Sequence, residues 1–186
     1  MPSVVTITGS PSLSSRSAAV ALHVAELLRA RGFELETVNV RELPAEGLLA
    51  GRASDPGIAA AVGQVERADA VVVVTPIYKA AYTGVLKAFL DVLPQFALTG
   101  KVVLPLATGG TIAHVLALDY ALRPVLVSLG AQHIVNGLFI LDKALAMSER
   151  GLTIDADIEQ RLAAIVDDFA ASVERRTATP PARATV

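Results

Sequence analysis

Short apolar runs alternate with helix-forming stretches along most of this 186-residue chain. The clearest run, at residues 70–75, contains four consecutive valines and predicts a fully buried strand. Further runs at 3–8, 34–40, 101–108 and 132–141 also predict strands. Strands that alternate with helices pair in parallel through right-handed crossovers. The alternation therefore predicts an α/β protein with a five-stranded parallel sheet.

The stretches between these runs have the apolar spacing of amphipathic helices. They predict helices at 18–30, 57–67, 83–93, 113–129 and 155–175, with a loop at 43–56. Ser17 is expected to cap the first helix, and Gly32 to follow its end. With strand order 2-1-3-4-5 and helices on both faces, the fold is a flavodoxin-like three-layer sandwich.

The length of the chain fits one domain with its own core. We expect this domain to span residues 1–176. Residues 177–186 include Pro180 and Pro181 and lack periodicity, so we expect a disordered tail.

Composition excludes several classes of protein. Hydrophobic residues make up 53% of the chain and charged residues 18%, which excludes a disordered protein. A net charge of −2 gives no attraction to nucleic acid or to an anionic membrane surface. The absence of cysteine excludes thiolate and disulfide chemistry, and three scattered histidines argue against a metal site. Because neither a secretory signal nor a membrane span is recognisable, we expect a cytoplasmic protein.

Three loops follow the first, third and fourth predicted strands, at residues 9–17, 75–82 and 107–111. Ligands of open α/β sheets bind beyond the carboxyl ends of the strands, so these loops are expected to meet at one crevice. The first offers hydroxyls, backbone N–H groups and one guanidinium, which suit a phosphate. The others offer an aromatic turn and accessible glycine backbone, which suit a planar ring. Together they predict a mononucleotide site, with FMN as the ligand.

The first loop matches neither the dinucleotide fingerprint G-x-G-x-x-G nor a Walker A loop, because no Gly-Lys-Ser/Thr follows. A polar turn with a helix cap is the alternative interpretation of its serines. Its position after the first strand favours the phosphate interpretation.

The three segments together resemble the NADPH-dependent FMN reductases of the flavodoxin-like superfamily. The matching segments are Gly-Ser-Pro…Ser-Arg-Ser at 9–17, the run from Thr-Pro-Ile-Tyr at 75–91, and Gly-Lys-Val-Val…Thr-Gly-Gly-Thr at 100–111. The similarity is strongest to the branch that supplies reduced flavin to alkanesulfonate monooxygenases. It implies hydride transfer from NADPH to FMN, an FMNH2-dependent monooxygenase as partner, and a homo-oligomer, either a dimer or a tetramer.

The resemblance also implies roles for individual residues. The FMN phosphate would be held by Ser10, Ser12, Ser15, Arg16 and Ser17. The isoalloxazine ring would lie between Pro76, Ile77, Tyr78 and Lys79 on one edge and Thr108, Gly109, Gly110 and Thr111 on another. His114 either faces the flavin or lies on the surface. No acid or base is assigned, because hydride transfer belongs to the cofactors.

Pro124 lies inside the predicted helix 113–129 and has no N–H for the carbonyl of Tyr120, so the helix must bend or bulge near Tyr120. In the related branch, a tyrosine at this position lies in a π-helix at the tetramer interface, near a neighbouring subunit's flavin. The alternative is a tyrosine packed beside a proline kink. Lys87 and Asp91, spaced i,i+4, are either part of a dimer interface or a solvated pair worth about 0.3 kcal/mol.

Other functions share this fold. One is a quinone, azo or chromate reductase with tightly bound FMN. Another is a flavodoxin-type electron carrier, although carriers tend to be more acidic than this chain. A third is a nucleotide-binding regulatory module. The sequence leaves open whether NADPH or NADH is preferred and whether FMN is tightly bound or a transient substrate.

Overall fold

The structure is a computed structural model that describes residues 1–149 and 151–178. The strands are β1 (Ser3–Thr8), β2 (Glu34–Asn39), β3 (Ala70–Tyr78), β4 (Ala81–Tyr82), β5 (Val102–Gly109), β6 (His133–Ile134), β7 (Leu138–Leu141), β8 (Leu145–Ser148) and β9 (Gly151–Ile154). The α-helices are α1 (Arg16–Arg29), α2 (Ala45–Leu49), α3 (Pro56–Arg67), α4 (Gly84–Leu90), α5 (Arg123–Ser128) and α6 (Ala156–Ala178). Shorter 3₁₀ turns lie at Val40–Glu42, Ile112–His114 and Asp142–Ala144, and a π-helical turn lies at Leu118–Leu122.

The main sheet is parallel and has the order β2-β1-β3-β5, with β6 and β7 sharing the position beyond β5. This arrangement is the predicted order 2-1-3-4-5, and it confirms the flavodoxin-like fold. The short strand β4 folds back on β3 in an antiparallel hairpin that the sequence did not indicate. The sheet is therefore larger than the five strands predicted.

The fifth predicted strand is divided, so the prediction of one strand over 132–141 was wrong. The pairing of β6 with β5 ends at Val103, and that of β7 begins at Leu106. Between them lies Pro105, which has no N–H to donate to a neighbouring strand. A Cβ added at Gly137 would lie only 2.4 Å from the Pro105 carbonyl oxygen. The two chains therefore approach closely where the ladder is interrupted.

Helices cover both faces of the sheet, and each face has its own core. Alternate side chains of β1, such as Val5 and Val4, point to opposite faces. The first face packs against α3, α4 and α5, and the second against α1 and α6. The result is the three-layer arrangement that brings the carboxyl ends of β1, β3 and β5 to one edge.

Several helix boundaries differ from the prediction. Ser15, not Ser17, caps α1, because its Oγ accepts a hydrogen bond from the N–H of Ala18 at 3.0 Å. The loop predicted at 43–56 contains α2, and α4 ends at Leu90 rather than at residue 93. Residues 177 and 178, which were predicted to begin the disordered tail, belong to α6, and the rest of the predicted tail lies outside the described residues. No helix in the described ranges has both the length and the apolar character needed to cross a membrane.

The helix predicted at 113–129 is interrupted, as Pro124 indicated. The backbone N–H of Arg123 donates to the carbonyl of Leu118, five residues earlier, which is the π-helical pattern. Pro124 then occupies the first turn of α5, where a missing N–H is tolerated. The predicted bulge near Tyr120 is therefore confirmed, as a π-helical turn.

Candidate functional site

A cavity of about 380 Å³ lies where the loops after β1, β3 and β5 meet. It is lined by Ser10, Ser12, Ser14, Ser15, Arg16, Ser17, Pro76, Ile77, Tyr78, Thr108, Gly109, Gly110 and Asp142. The three loops are named here the serine loop (residues 9–17), the hairpin turn (residues 76–82) and the glycine loop (residues 108–111). Their convergence is what the strand order predicted.

Hydroxyl hydrogen bonds hold the serine loop in shape. Ser15 and Ser17 are buried, and their Oγ atoms lie 2.8 Å apart. The Oγ of Ser10 accepts a hydrogen bond from the N–H of Ser12 at 3.2 Å. From outside the loop, the guanidinium of Arg41 donates to the carbonyl of Ser12. The conformation of the loop is therefore supported by hydrogen bonds within the protein itself.

The beginning of α1 supplies unused donors to this end of the cavity. The N–H groups of Arg16 and Ser17 have no hydrogen-bond acceptor within the described part of the chain. They are the first two N–H groups of a 14-residue helix, where the helix dipole is positive. Free N–H groups, serine hydroxyls and a positive helix end together fit a phosphate.

Arg16 contributes the only guanidinium that lines the cavity. Its Nε donates to the carbonyl of Leu145, the first residue of β8, at 3.3 Å. No carboxylate within the described residues forms an ion pair with it. The contact with β8 orients the side chain and leaves its terminal nitrogens available for an anion.

The hairpin turn has a strained backbone beside the cavity. Ile77 pairs with Tyr82 and Tyr78 with Ala81, so only two residues form the turn. These two, Lys79 and Ala80, have φ values of 51° and 63°. Two positive φ values indicate a type I′ turn, which normally contains asparagine or glycine. A left-handed conformation costs a residue with a Cβ about 1–2 kcal/mol, and such strain is concentrated at functional sites.

Thr83 connects the hairpin turn to the serine loop. Its Oγ1 donates to the carbonyl of Gly9 and accepts from the N–H of Leu86 at 3.1 Å, capping α4. Its own N–H donates to the Oγ1 of Thr75 at 3.3 Å. Sequence reasoning missed this residue, although a threonine before a helix is a recognised N-cap signal. Through Thr83, the serine loop and the hairpin turn share one buried hydrogen-bond network.

The glycine loop presents bare backbone to the cavity. A Cβ at Gly109 would lie 2.9 Å from the Cζ of Phe139, so a larger residue would displace that ring. At Gly110, the nearest atom to such a Cβ is the Oδ2 of Asp142, at 3.8 Å. Backbone without side chains lets a planar ring approach closely.

Four predicted site residues do not line the cavity. Lys79 lies in the hairpin turn, and Thr111 caps the 3₁₀ turn through a 3.3 Å hydrogen bond from the N–H of Ala113. His114 ends that turn, and Tyr120 is 78% exposed in the π-helical turn. Contacts of these residues with a ligand stay predictions. Ser14, whose hydroxyl was counted among those of the first loop, lines the cavity as well, and so does Asp142, which was not among the predicted contacts.

Two side chains, one in the hairpin turn and one in α4, have shifted pKa values. Burial raises the pKa of the Tyr82 phenol above its usual value. Lys87 donates to both carboxylate oxygens of Asp91, at 2.6 and 2.8 Å, and this hydrogen bond raises the pKa of its ammonium. The predicted i,i+4 pair therefore forms, on an exposed surface of α4.

The chain is similar to known proteins over most of its length. The family model for NADPH-dependent FMN reductases matches residues 2–146. An FMN reductase (NADPH) of Pseudomonas putida is 44% identical over 175 residues, which cover 93% of this chain and 89% of that protein. The FMN reductase (NADPH) of Escherichia coli is 41% identical over 178 residues, covering 96% and 93% of the two chains. The NADH-dependent FMN reductase SfnF of Pseudomonas putida is 31% identical over 140 residues, which cover 73% of this chain and 75% of that protein.

Solved structures of other proteins are also similar to this chain. An apo crystal structure of NADH:FMN oxidoreductase (EMOB) superposes with a TM-score of 0.85 at 44% identity, covering 92% of this chain and 90% of that one. A flavodoxin of Streptococcus pneumoniae, at 19% identity and a TM-score of 0.62, covers 92% of this chain and 99% of its own and supports the fold alone. On the family model and the two relatives above 40% identity, this chain belongs to the NADPH-dependent FMN reductase family.

Proposed function

We propose that this protein transfers a hydride from NADPH to FMN and releases reduced FMN to a partner monooxygenase that acts on organosulfur compounds. One observation carries the proposal: a single cavity is lined both by serine hydroxyls with a guanidinium and by the bare backbone of two glycines. The named relatives support the same chemistry, since two are FMN reductases (NADPH) and one is an NADH-dependent FMN reductase.

The serine loop would hold the phosphate of FMN. The N–H groups of Arg16 and Ser17, the hydroxyls of Ser10 and Ser12 and the guanidinium of Arg16 are the donors that line this end. All of them favour a dianion. These donors would distinguish FMN from riboflavin, which has no phosphate.

The hairpin turn and the glycine loop would hold the ring. Bound FMN supplies the electron chemistry, because its ring accepts a hydride from a nicotinamide. The protein has to fix the orientation of the ring and keep one face accessible. Tyr78, which is 50% exposed, and the backbone at Gly109 and Gly110 would flank the ring. No acid–base group is needed for this step.

Release of reduced FMN would follow from an accessible ring end. Half of Tyr78 is exposed, and the turn beside it is a strained two-residue turn rather than a packed core element. FMN would therefore exchange as a substrate. A homo-oligomer is supported by exposed apolar side chains around the π-helical turn, those of Ile112, Leu116 and Tyr120.

The test is NADPH oxidation by the purified protein with and without added FMN, repeated with NADH. We expect turnover that rises with added FMN and saturates, and a protein that is not permanently yellow. A permanently yellow protein that reduces quinones, azo dyes or chromate without free FMN would favour the alternative reductase. No consumption of either nucleotide would favour an electron carrier or a regulatory module.

A further inference from the structure

One carboxylate lines a cavity that is otherwise built for an anion. Asp142 follows β7 directly, where the register of the sheet sets Leu141 opposite Gly109. Its Oδ2 lies 3.8 Å from the point that a Cβ on Gly110 would occupy. The carboxylate therefore lies at the glycine loop, on the ring side of the cavity, and not within the serine loop.

No ion pair neutralises this carboxylate within the described part of the chain. The carboxylate of Asp142 accepts no hydrogen bond and forms no ion pair within residues 1–149 and 151–178. Arg16 lines the same cavity, yet its Nε donates to the carbonyl of Leu145. A negative charge without a partner inside an anion-binding cavity opposes binding. Neither the packing of the fold nor phosphate binding explains its presence.

The difference between the two redox forms of the ligand supplies an explanation. A hydride carries two electrons and one proton, so its transfer to a neutral ring leaves that ring with one additional negative charge unless a proton follows from water. The charge of the phosphate is the same in both forms. A carboxylate beside the ring therefore repels the reduced form more than the oxidised form.

We infer that Asp142 lowers the affinity of the cavity for reduced FMN relative to oxidised FMN, and so sets the direction of ligand exchange; this inference rests on the proposed FMN site. Oxidised FMN binds in the cavity. The negative charge that the hydride adds to the ring then weakens the binding of the reduced FMN. For unit charges about 10 Å apart at an effective dielectric constant near 20, Coulomb's law gives roughly a tenfold change in an equilibrium constant. A tenfold difference between the affinities for oxidised and reduced FMN suits an enzyme that releases reduced FMN to a partner.

The test measures two dissociation constants without NADPH. Oxidised FMN is titrated by fluorescence quenching, and photoreduced FMN is titrated anaerobically at neutral pH and low ionic strength. In Asp142→Asn, the ratio of the reduced to the oxidised Kd is expected to fall about tenfold relative to the unchanged protein. Asp142→Glu retains the charge and is expected to retain the ratio within about threefold.

Asp168→Asn is the matched control. Asp168 is exposed on α6 and lines a different cavity, so the same change in net charge is expected to leave the ratio unchanged. If oxidised FMN binds but Asp142→Asn keeps the original ratio, or shifts both constants equally, the inference is overturned and the FMN site stands. If oxidised FMN does not bind the unchanged protein, the proposed function itself fails and the inference fails with it.

Discussion

The serine loop and the hairpin turn line the same cavity and differ in how their conformations are maintained. The serine loop contains buried hydroxyls, a capped helix and no residue with positive φ. The hairpin turn has two non-glycine residues with positive φ and a tyrosine that is half exposed. One segment is held by its own hydrogen bonds, which leave the N–H groups of Arg16 and Ser17 without an acceptor in the described part of the chain. The other retains strain and accessibility.

This difference fits the separate roles proposed for the serine loop and the hairpin turn. A preformed phosphate site binds without ordering its own groups, which is the condition for affinity. An accessible ring end lets a nicotinamide approach and the product leave. The following substitutions test this division, because changes in the serine loop should reduce binding or stability while relief of strain in the turn should not.

Gly9→Ala has the largest expected effect. A Cβ at Gly9 would lie 2.6 Å from the Cβ of Leu86, a buried side chain that cannot move away. We expect the free energy of unfolding to fall by about 3 kcal/mol, as for other overpacked sites. Urea denaturation measures it. Gly84→Ala is the control, since nothing lies within 4 Å of its added Cβ, and a loss of equal size there would refute the packing argument.

Arg16→Ala tests the phosphate end. Loss of a charge-assisted hydrogen bond costs about 2 kcal/mol, so the Kd for FMN should rise roughly thirtyfold. Riboflavin titration supplies the internal control, because its weaker binding should not change. Arg29→Ala removes the same charge from the other end of α1 and should bind FMN normally. Equal losses for FMN and riboflavin would place Arg16 away from the phosphate.

Ser15→Ala separates the helix cap from ligand binding. Without its Oγ, the N–H of Ala18 loses its acceptor, so the ligand-free protein should lose about 1 kcal/mol of stability. Thermal unfolding monitored by circular dichroism checks this. The hydroxyl of Ser14 contacts only that of Ser12, at 3.5 Å, so Ser14→Ala should be neutral. Equal melting temperatures for the two variants would show that the cap is dispensable.

Ala80→Gly has the smallest expected effect and the opposite sign. Relief of the left-handed conformation at φ 63° offsets the entropy that glycine loses on folding, so we expect a gain of about 0.5 kcal/mol. Ala81→Gly, in β4 next to it, should destabilise the hairpin instead. Chemical denaturation of both variants decides the matter, and a loss of stability in Ala80→Gly would show that the turn is not strained.

The sequence predicts the sheet order and the convergence of the loops because both depend on local patterns. Continuous apolar runs such as Ala70–Tyr78 mark the buried strands, and the alternation with helices leaves few topologies. Pro124 located the π-helical turn because a missing N–H has the same consequence in any helix.

The features that the sequence did not predict depend on which residues lie opposite each other in segments far apart in the chain. The division of the fifth strand depends on Pro105 lying opposite Gly137, which are far apart in the chain. Asp142 lines the cavity because β7 pairs with β5, and nothing in its neighbourhood distinguishes it from a surface aspartate. Each depends on a contact between segments, not on composition.

A crystal structure of the protein soaked with FMN tests the central claim most directly. The account predicts the phosphate within hydrogen-bond distance of the N–H groups of Arg16 and Ser17, and the ring between Tyr78 and the glycine loop. A phosphate bound elsewhere, or a ring in a different cavity, would contradict it.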